Sequence, residues 1–303
     1  MGESPIPHKV APGDTVQELG TAEAICYTKY MLVTVDTGGT KTLVASFSED
    51  GKISQSVKFA TPKKSPEYIA QLTETITSIV NPDDIDAIVI ALPGVISDDG
   101  ILLNAENLRW HDIDMKKELK SFFDGPVLVE NDGNLGGLGE TRQLSAIPAT
   151  CLGIAIGTGI GTGIITNGRI DPNYRKSEGG LMVLEHDGVM KIWEDFASGR
   201  AITLAYSQYA HDITSKHTWN EIAVNISKGL LALIPTLRPD AIIIGGSIGT
   251  YFDNYHDKLV ATLTEALPSH IGVPQIIKAS FPEEAVIYGC YYYALDSLAD
   301  SEA

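Results

Sequence analysis

The stretch that decides the fold is Met31-Leu32-Val33-Thr34-Val35-Asp36-Thr37-Gly38-Gly39-Thr40-Lys41. Its apolar first half predicts a buried strand, and its glycines predict a tight turn whose backbone amides can approach an anion. Asp36 stands at the end of the strand, where a carboxylate could hold a metal ion. Together these features are typical of a turn that binds phosphate groups.

A second turn of this kind is Gly157-Thr158-Gly159-Ile160-Gly161, which lies between two apolar runs. A third glycine turn, Gly245-Gly246, follows the apolar run at 241–244. Each turn alone is equally compatible with an ordinary hairpin, and none matches the GxxxxGK[ST] or GxGxxG fingerprints. Three in order at strand ends favour phosphate binding, because ligands of α/β proteins bind beyond the carboxyl ends of strands. The repetition predicts two similar lobes with a nucleotide between them.

The hydrophobic pattern predicts alternating strands and helices. The predicted strands are 31–36, 41–48, 52–59, 86–92, 126–129, 151–157, 162–166, 241–244 and 274–280. Helices are predicted at 65–80, at 113–122, after Ser198-Gly199, at 219–237 and at 283–298, and a long loop is predicted to about residue 190. This alternation indicates an α/β protein with a largely parallel core. Residues 1–30 show no clear periodicity and are predicted to be a flexible leader.

Composition narrows the function classes. The chain is 44% hydrophobic and 20% charged, which is typical of globular proteins. A net charge of −17 disfavours nucleic acids and polyphosphate as partners. The three cysteines, Cys26, Cys151 and Cys290, lack metal-type spacing, and no run reaches the roughly 18 apolar residues of a membrane helix. No secretion signal is recognisable, so we expect a cytoplasmic protein without a membrane partner.

Three carboxylates are candidate site residues. Asp132, in Glu130-Asn131-Asp132, directly follows the strand at 126–129. Such a tripeptide is often a turn with a helix cap, but a carboxylate at a strand end can also accept a hydroxyl proton during phosphoryl transfer. Glu178 and Glu194 are interpreted either as solvated or helix-terminal charges or as groups that contact substrate.

These motifs resemble, in the same order, those of the ROK family of sugar kinases and sugar-responsive regulators, within the actin/hexokinase/Hsp70 superfamily. The resemblance spans about residues 31–298. The resembling segments are Asp36 to Lys41, Leu92-Pro93-Gly94-Val95, Asn107-Leu108-Arg109-Trp110, Glu130 to Asn134, Gly157 to Gly161, Glu194 to Ile202 and Ile244 to Ser247.

The resemblance implies a two-lobed, actin-like (ribonuclease H-like) α/β fold with duplicated sheets and a nucleotide cleft between the lobes. It implies a small lobe of residues 31–146 plus about 283–303, and a large lobe of residues 147–282. It also implies ATP and Mg²⁺, and a homodimer is one expected assembly state. Asp132 would be the general base. The other implied sugar-binding residues are Gly94, Asn107, Asn131, Glu178 and Glu194. The implied nucleotide-binding residues are Asp36 (to Mg²⁺, through water), Gly38, Gly39, Thr40, Lys41, Gly157, Thr158, Gly159, Gly161, Gly245 and Gly246.

One departure from the family pattern concerns zinc. The family usually has Glu-x-Gly-His followed by a CxCGxxGC segment, which together bind a structural zinc. Leu181 stands where the histidine is expected, and residues 181–193 contain no cysteine. A zinc site requires thiolate and imidazole ligands, so we expect none here. His186 lies nearby, but a single histidine cannot replace four ligands.

The resemblance favours an ATP-dependent hexose kinase, most simply one that phosphorylates glucose at the C6 hydroxyl. An N-acetylhexosamine kinase, acting on ManNAc or GlcNAc, or another sugar kinase of the family remains an alternative. Two alternatives are not enzymes. A sugar-sensing transcriptional regulator would need a helix-turn-helix domain ahead of the core. A catalytically silent sugar-binding protein is disfavoured by Asp132 together with three phosphate turns.

Overall fold

The structure is a computed structural model that describes residues 30–48, 50–281 and 284–302. The predicted leader therefore lies outside the described residues, apart from Tyr30, and so does Glu49 of the predicted hairpin turn. Among the described helices, none is long and apolar enough to cross a membrane.

The described residues form fifteen strands and nine α-helices. In chain order the strands are β1 (Leu32–Thr37), β2 (Lys41–Phe47), β3 (Ile53–Ala60), β4 (Ala87–Leu92), β5 (Val95–Ile96), β6 (Leu102–Ala105), β7 (Trp110–Ile113), β8 (Val127–Asn131), β9 (Thr150–Ile156), β10 (Ile160–Thr166), β11 (Arg169–Ile170), β12 (Val183–His186), β13 (Val189–Ile192), β14 (Ala241–Gly245) and β15 (Gln275–Lys278). The helices are α1 (Ser65–Ile79), α2 (Met115–Leu119), α3 (Asp132–Arg142), α4 (Glu194–Ala197), α5 (Gly199–Tyr206), α6 (Lys216–Leu237), α7 (Gly246–Gly249), α8 (Phe252–Ala266) and α9 (Ala285–Glu302).

Two five-stranded sheets share one topology. Their strand orders are β3-β2-β1-β4-β8 and β11-β10-β9-β14-β15. In each sheet the first three strands along the chain form an antiparallel meander, and the remaining two add in parallel. The duplication that the repeated turns predict is therefore confirmed. The expected parallel core holds for only half of each sheet, because a short turn can join consecutive strands only in antiparallel order.

Helices cover both faces of each sheet. The amphipathic helix α1 buries Tyr68, Leu72 and Ile76 against the outer face of the first sheet. Helices α6 and α8 cover the corresponding face of the second sheet. Helices α3 and α9 contact both sheets: Leu135 and Ile287 pack on the first, and Leu138 packs on the second. The two sheets thus share an inner layer of two helices.

Glycines allow α3 and α9 to cross closely. A Cβ built on Gly139 would lie 2.0 Å from the carbonyl oxygen of Ala285, and one on Gly289 would lie 1.9 Å from that of Leu135. Neither distance is compatible with a side chain. Helix α9 also packs on β1 and β4. The inclusion of residues from about 283 in the first lobe, and the other lobe boundaries, stay a prediction.

Most predicted elements are confirmed, with small shifts at their ends, and two regions differ. The helix predicted at 113–122 spans only Met115–Leu119, because the Asp114 side chain caps its start by accepting from Lys117 N. The predicted loop up to residue 190 contains β11 and the β12–β13 hairpin. The turn Asn167-Gly168 connects β10 to β11, and the turn Asp187-Gly188 connects β12 to β13. Both have two consecutive positive φ angles, which is typical of type I′ hairpin turns.

Candidate functional site

Two carboxylates meet at the carboxyl ends of parallel strands. Asp36 lies near the end of β1, and Asp132 opens α3 directly after β8. Strand β4 separates β1 from β8, and Ala91 pairs with Asp36 on one side and with Glu130 on the other. The sheet register therefore brings Asp36 and Asp132 to the same edge, as expected for an α/β site.

Burial makes both groups hard to ionise. It raises the pKa of Asp132 from its usual 3.8 to about 7, and the negative charges of Asp36 and Glu178 add to this effect. The hydrogen bond from Gly133 N to Asp132 Oδ1, at 2.8 Å, acts in the opposite direction. Burial likewise raises the pKa of Asp36 to about 6, although the positive charge of Lys58 opposes it. A carboxyl group that titrates near neutrality is suited to accept and return a proton.

Asn131 holds the end of β8 in place. Its Oδ1 accepts from Gly133 N at 2.8 Å and from Asn134 N at 3.1 Å, which caps the start of α3. Its Nδ2 donates to the carbonyl oxygen of Gly94 at 2.9 Å. An amide nitrogen carries two hydrogens, so one donor of Asn131 is left for a ligand.

The turn at 36–41 is tied to the loop that follows β3. Gly38 N donates to Lys41 O at 2.9 Å, and Thr61 Oγ1 donates to Gly38 O at 2.8 Å. Lys63 Nζ donates to the carbonyl oxygen of Gly39 at 3.0 Å. A Cβ on Gly39 would lie 3.4 Å from Asn107 Cβ, so the predicted sugar-side loop adjoins this turn. The side chains of Asn107, Thr40 and Lys41 are exposed.

The turn at 157–161 is held between α4 and α5. Gly157 N donates to Gly159 O at 2.9 Å, and Gly199 N donates to Gly157 O at 2.7 Å. Glu194 Oε2 accepts from Ile160 N at 3.1 Å, and a Cβ on Gly159 would lie 2.5 Å from this oxygen. Glu194, predicted as a sugar ligand or a helix-terminal charge, lies in the first turn of α4 and also holds the turn at 157–161. Thr158, in the middle of the turn, is exposed.

The three remaining glycines of the predicted nucleotide site, Gly161, Gly245 and Gly246, pack onto the same region. A Cβ on Gly161 would lie 3.6 Å from Gly133 Cα, so the turn meets the start of α3 beside Asp132. Gly246 has a φ of 75°, and a Cβ there would lie 2.6 Å from Ile156 O. The Gly245-Gly246 turn therefore sits at the end of β9, next to the turn at 157–161.

Glu178 precedes a 3₁₀ turn, Gly179–Leu181, that packs on β10. Gly179 N donates to Thr162 Oγ1 at 3.0 Å, and a Cβ on Gly180 would lie 2.0 Å from Ile160 O. Burial raises the pKa of Glu178, and the charge of Glu194 raises it further. Asp36, Asp132, Glu178 and Glu194 thus form one chain of neighbouring negative charges.

Sequence analysis missed two residues beside this site. Glu130 is buried one residue before Asn131, and its carboxylate is paired with Arg175. The position of Glu130 at a strand end, inside the recognised motif, was a usable signal. Arg175 gave none, because the pair joins residues 45 positions apart.

The site contains no cluster of side chains that could surround a metal ion within the part of the chain that the structure describes. Among the described residues, no three His, Cys, Asp or Glu side chains are grouped to hold a metal ion. Asp36 is the carboxylate that would face a bound Mg²⁺ ion, through water. This arrangement fits Mg²⁺, which keeps several waters and takes one or two protein carboxylates in phosphoryl-transfer sites.

Comparisons with known proteins point to one family. The sequence profile of the ROK family matches residues 32–297. The chain is similar to a glucokinase of Thermotoga maritima (26% identity, 86% of this chain and 96% of the relative) and to an N-acetylmannosamine kinase of Yersinia pestis (27% identity, 87% and 98%). A ROK family glucokinase of Streptomyces griseus, in complex with glucose and AMPPNP, has a TM-score of 0.73 at 23% identity, over 87% of this chain and 98% of that one. This likeness confirms the predicted two-lobed, actin-like fold.

Proposed function

The chain belongs to the ROK family, and we propose that it is an ATP-dependent hexose kinase that phosphorylates glucose at the C6 hydroxyl. The observation that carries this proposal is Asp132: a half-buried carboxylate, with a pKa raised to about 7 by desolvation, placed beside a glycine turn of the phosphate-binding type. The similar relatives named glucokinase support the choice of sugar. N-acetylmannosamine is the second candidate, because the kinase of that name is equally similar to the chain.

In the proposed reaction, Asp132 takes the proton of the primary hydroxyl as the hydroxyl oxygen attacks the terminal phosphorus of ATP. The bond between that phosphorus and the bridging oxygen breaks, and ADP leaves with the bridging oxygen. The free donor of Asn131 orients the same hydroxyl, and Glu178 accepts hydrogen bonds at the anomeric end of the ring. Bound Mg²⁺ would supply positive charge to the phosphates from the side of Asp36. The amides of the two glycine turns stabilise charge that develops on the transferred group.

A panel of sugars tests this proposal directly. Glucose, mannose, fructose, N-acetylglucosamine and N-acetylmannosamine are each supplied with ATP and Mg²⁺, and ADP release is followed in a coupled assay. We expect glucose to give the highest kcat/KM. A preference for N-acetylmannosamine would select the second candidate, and no turnover of any sugar would overturn the kinase assignment.

The two glutamates are expected to differ. Glu178→Gln should raise the sugar KM about tenfold or more, because charged hydrogen bonds contribute about 1.5–3 kcal/mol each and an amide accepts with only one end. Glu194→Gln should raise the sugar KM and also the ATP KM, since Glu194 Oε2 supports the Ile160 amide of the phosphate turn. Initial rates with each substrate varied in turn measure both constants. Unchanged sugar binding in both variants would place the sugar pocket elsewhere.

Turnover should fall on the acidic side of neutrality. Asp132 accepts a proton only when it is ionised, and its pKa of about 7 leaves a shrinking active fraction below that pH. We therefore expect kcat/KM for the sugar to drop about tenfold per pH unit well below this value. The profile is measured from about pH 5 to 9 at saturating ATP and Mg²⁺. A flat profile across this range would contradict the role of Asp132.

The purified protein should carry no stoichiometric zinc. The family's zinc histidine is replaced by Leu181, whose side chain is 50% exposed, and the β12–β13 hairpin occupies the following residues. Elemental analysis measures the metal content. The thermal midpoint with and without EDTA is the control, and it should not change. One zinc per chain would contradict the prediction.

A further inference from the structure

An ion pair begins inside the motif that carries Asp132, at the buried residue Glu130. Glu130 is 1% exposed, and each of its carboxylate oxygens is occupied. Its Oε1 accepts from Asn131 N at 2.8 Å and from Asn134 Nδ2 at 3.1 Å, while Oε2 accepts from Arg175 Nε. A buried carboxylate is tolerated only with such partners, so the position of Arg175 is coupled to the end of β8.

Arg175 joins three separate parts of the fold. It belongs to the segment between β11 and the 3₁₀ turn, on the side of the second sheet. Its carbonyl oxygen accepts from Asn134 Nδ2 at 2.7 Å, and its Nη2 donates to Tyr293 OH on α9 at 3.0 Å. The planar fork of arginine can hold Glu130 and Tyr293 at once, whereas the single ammonium of lysine cannot match this geometry.

The pair connects the two ends of the proposed sugar site. Asp132 follows Glu130 by two residues, and Glu178 follows Arg175 by three. The segment that carries Glu178 is fixed on its far side by the bond from Gly179 N to Thr162 Oγ1. The Glu130–Arg175 contact therefore ties the segment that leads to Glu178 to the strand end that leads to Asp132.

We propose that Arg175 is a positioning residue that sets the spacing between Asp132 and Glu178, and so makes the enzyme select sugars that carry both a primary and an anomeric hydroxyl. This inference rests on the proposed function. A sugar that contacts both carboxylates is bound and turned over best when Asp132 and Glu178 stand at the correct distance. An analogue that lacks the anomeric hydroxyl cannot contact Glu178 in this way, so it is indifferent to where Glu178 stands.

The test compares two substrates in matched variants. Arg175→Lys keeps the buried charge paired, and the double variant Glu130→Gln/Arg175→Met removes both charges together, so neither leaves an unpaired buried ion. Lys176→Met is the control. Lys176 is the cation next to Arg175 in the chain, and its ammonium group pairs with Asp98 at 2.8 Å on the exposed surface. The substrates are glucose and 1,5-anhydroglucitol, which keeps the primary hydroxyl and lacks the anomeric one. If the sugar panel selects N-acetylmannosamine, that sugar and its 1-deoxy analogue replace them.

In the wild-type protein and in Lys176→Met we expect the same preference, in kcat/KM, for the full sugar over its analogue. In both Arg175 variants this preference should shrink about tenfold. A displacement of Glu178 by about 1 Å can lower the rate up to 10²-fold, and only the full sugar, which contacts Glu178, is affected. The ATP KM should stay within about twofold. Circular dichroism and the thermal midpoint check that each variant is folded.

The outcomes separate the two proposals. If kcat/KM falls by the same factor for both substrates, or if only the thermal midpoint falls, Arg175 has a structural role. The inference is then wrong, while the kinase assignment stands. If the wild-type protein phosphorylates no sugar, the proposed function fails, and this inference fails with it.

Discussion

Asp132→Asn is expected to lower kcat about 10²–10⁴-fold while sugar binding is largely kept. Asparagine preserves the size of the side chain and a hydrogen-bonding oxygen, but it cannot take up the proton of the attacking hydroxyl. Steady-state rates give kcat, and titration with sugar in the absence of ATP gives the affinity. Asp98→Asn, the same exchange at an exposed aspartate, is the control and should keep wild-type rates.

The same variant should be more stable than the wild type above pH 7. The folded protein holds the proton of Asp132 more tightly than the unfolded chain does, since its pKa rises from 3.8 to about 7. Stability is therefore lost as the pH rises through this interval, because the folded state must then hold a half-buried, poorly solvated carboxylate near Asp36. A neutral amide avoids this cost. We expect the variant to have a higher thermal midpoint than the wild type at pH 8, together with the loss of turnover. Near-normal turnover in the folded variant would contradict the catalytic role of Asp132.

The long apolar runs were sufficient to predict the two sheets. A run such as Ala87 to Leu92 is buried on both faces of its sheet, so its sequence is uniformly apolar and hard to misread. The turns at 36–41 and 157–161 also predicted the duplication, because each follows the first strand of its own meander.

Short and nonlocal features escaped prediction. Strands β5, β6 and β7 have two to four residues each, which is too few for a periodic pattern. The second role of Glu194 depends on a contact with Ile160, 34 residues earlier in the chain. Arg175 is similar: its sequence neighbourhood is an ordinary polar loop, and only the folded chain brings it to Glu130. Local patterns carry no information about such pairs.

Gly139→Ala is expected to destabilise the protein strongly, although it adds only one methyl group. The new Cβ would lie 2.0 Å from Ala285 O and 2.8 Å from Gly289 N, both in the backbone at the start of α9. Backbone atoms cannot turn aside as a flexible side chain does, so α3 and α9 must move apart. Overpacking of this kind costs about 1–3 kcal/mol or more, and we expect the upper end. Since α3 begins at Asp132, the shift should also lower kcat.

Gly136→Ala on the same helix is the matched control. Its Cβ would meet only Val286 Cγ2, at 3.6 Å, which is an ordinary contact. Alanine is favoured over glycine inside a helix by about 1 kcal/mol, so this variant should be as stable as the wild type or slightly more stable. Urea unfolding of both variants measures the difference in free energy. Because the two changes share chemistry, helix and propensity, a stability gap between them isolates the close crossing of α3 and α9. If both variants unfold at the same urea concentration, that crossing tolerates a methyl group, and its glycines do not determine how α3 presents Asp132.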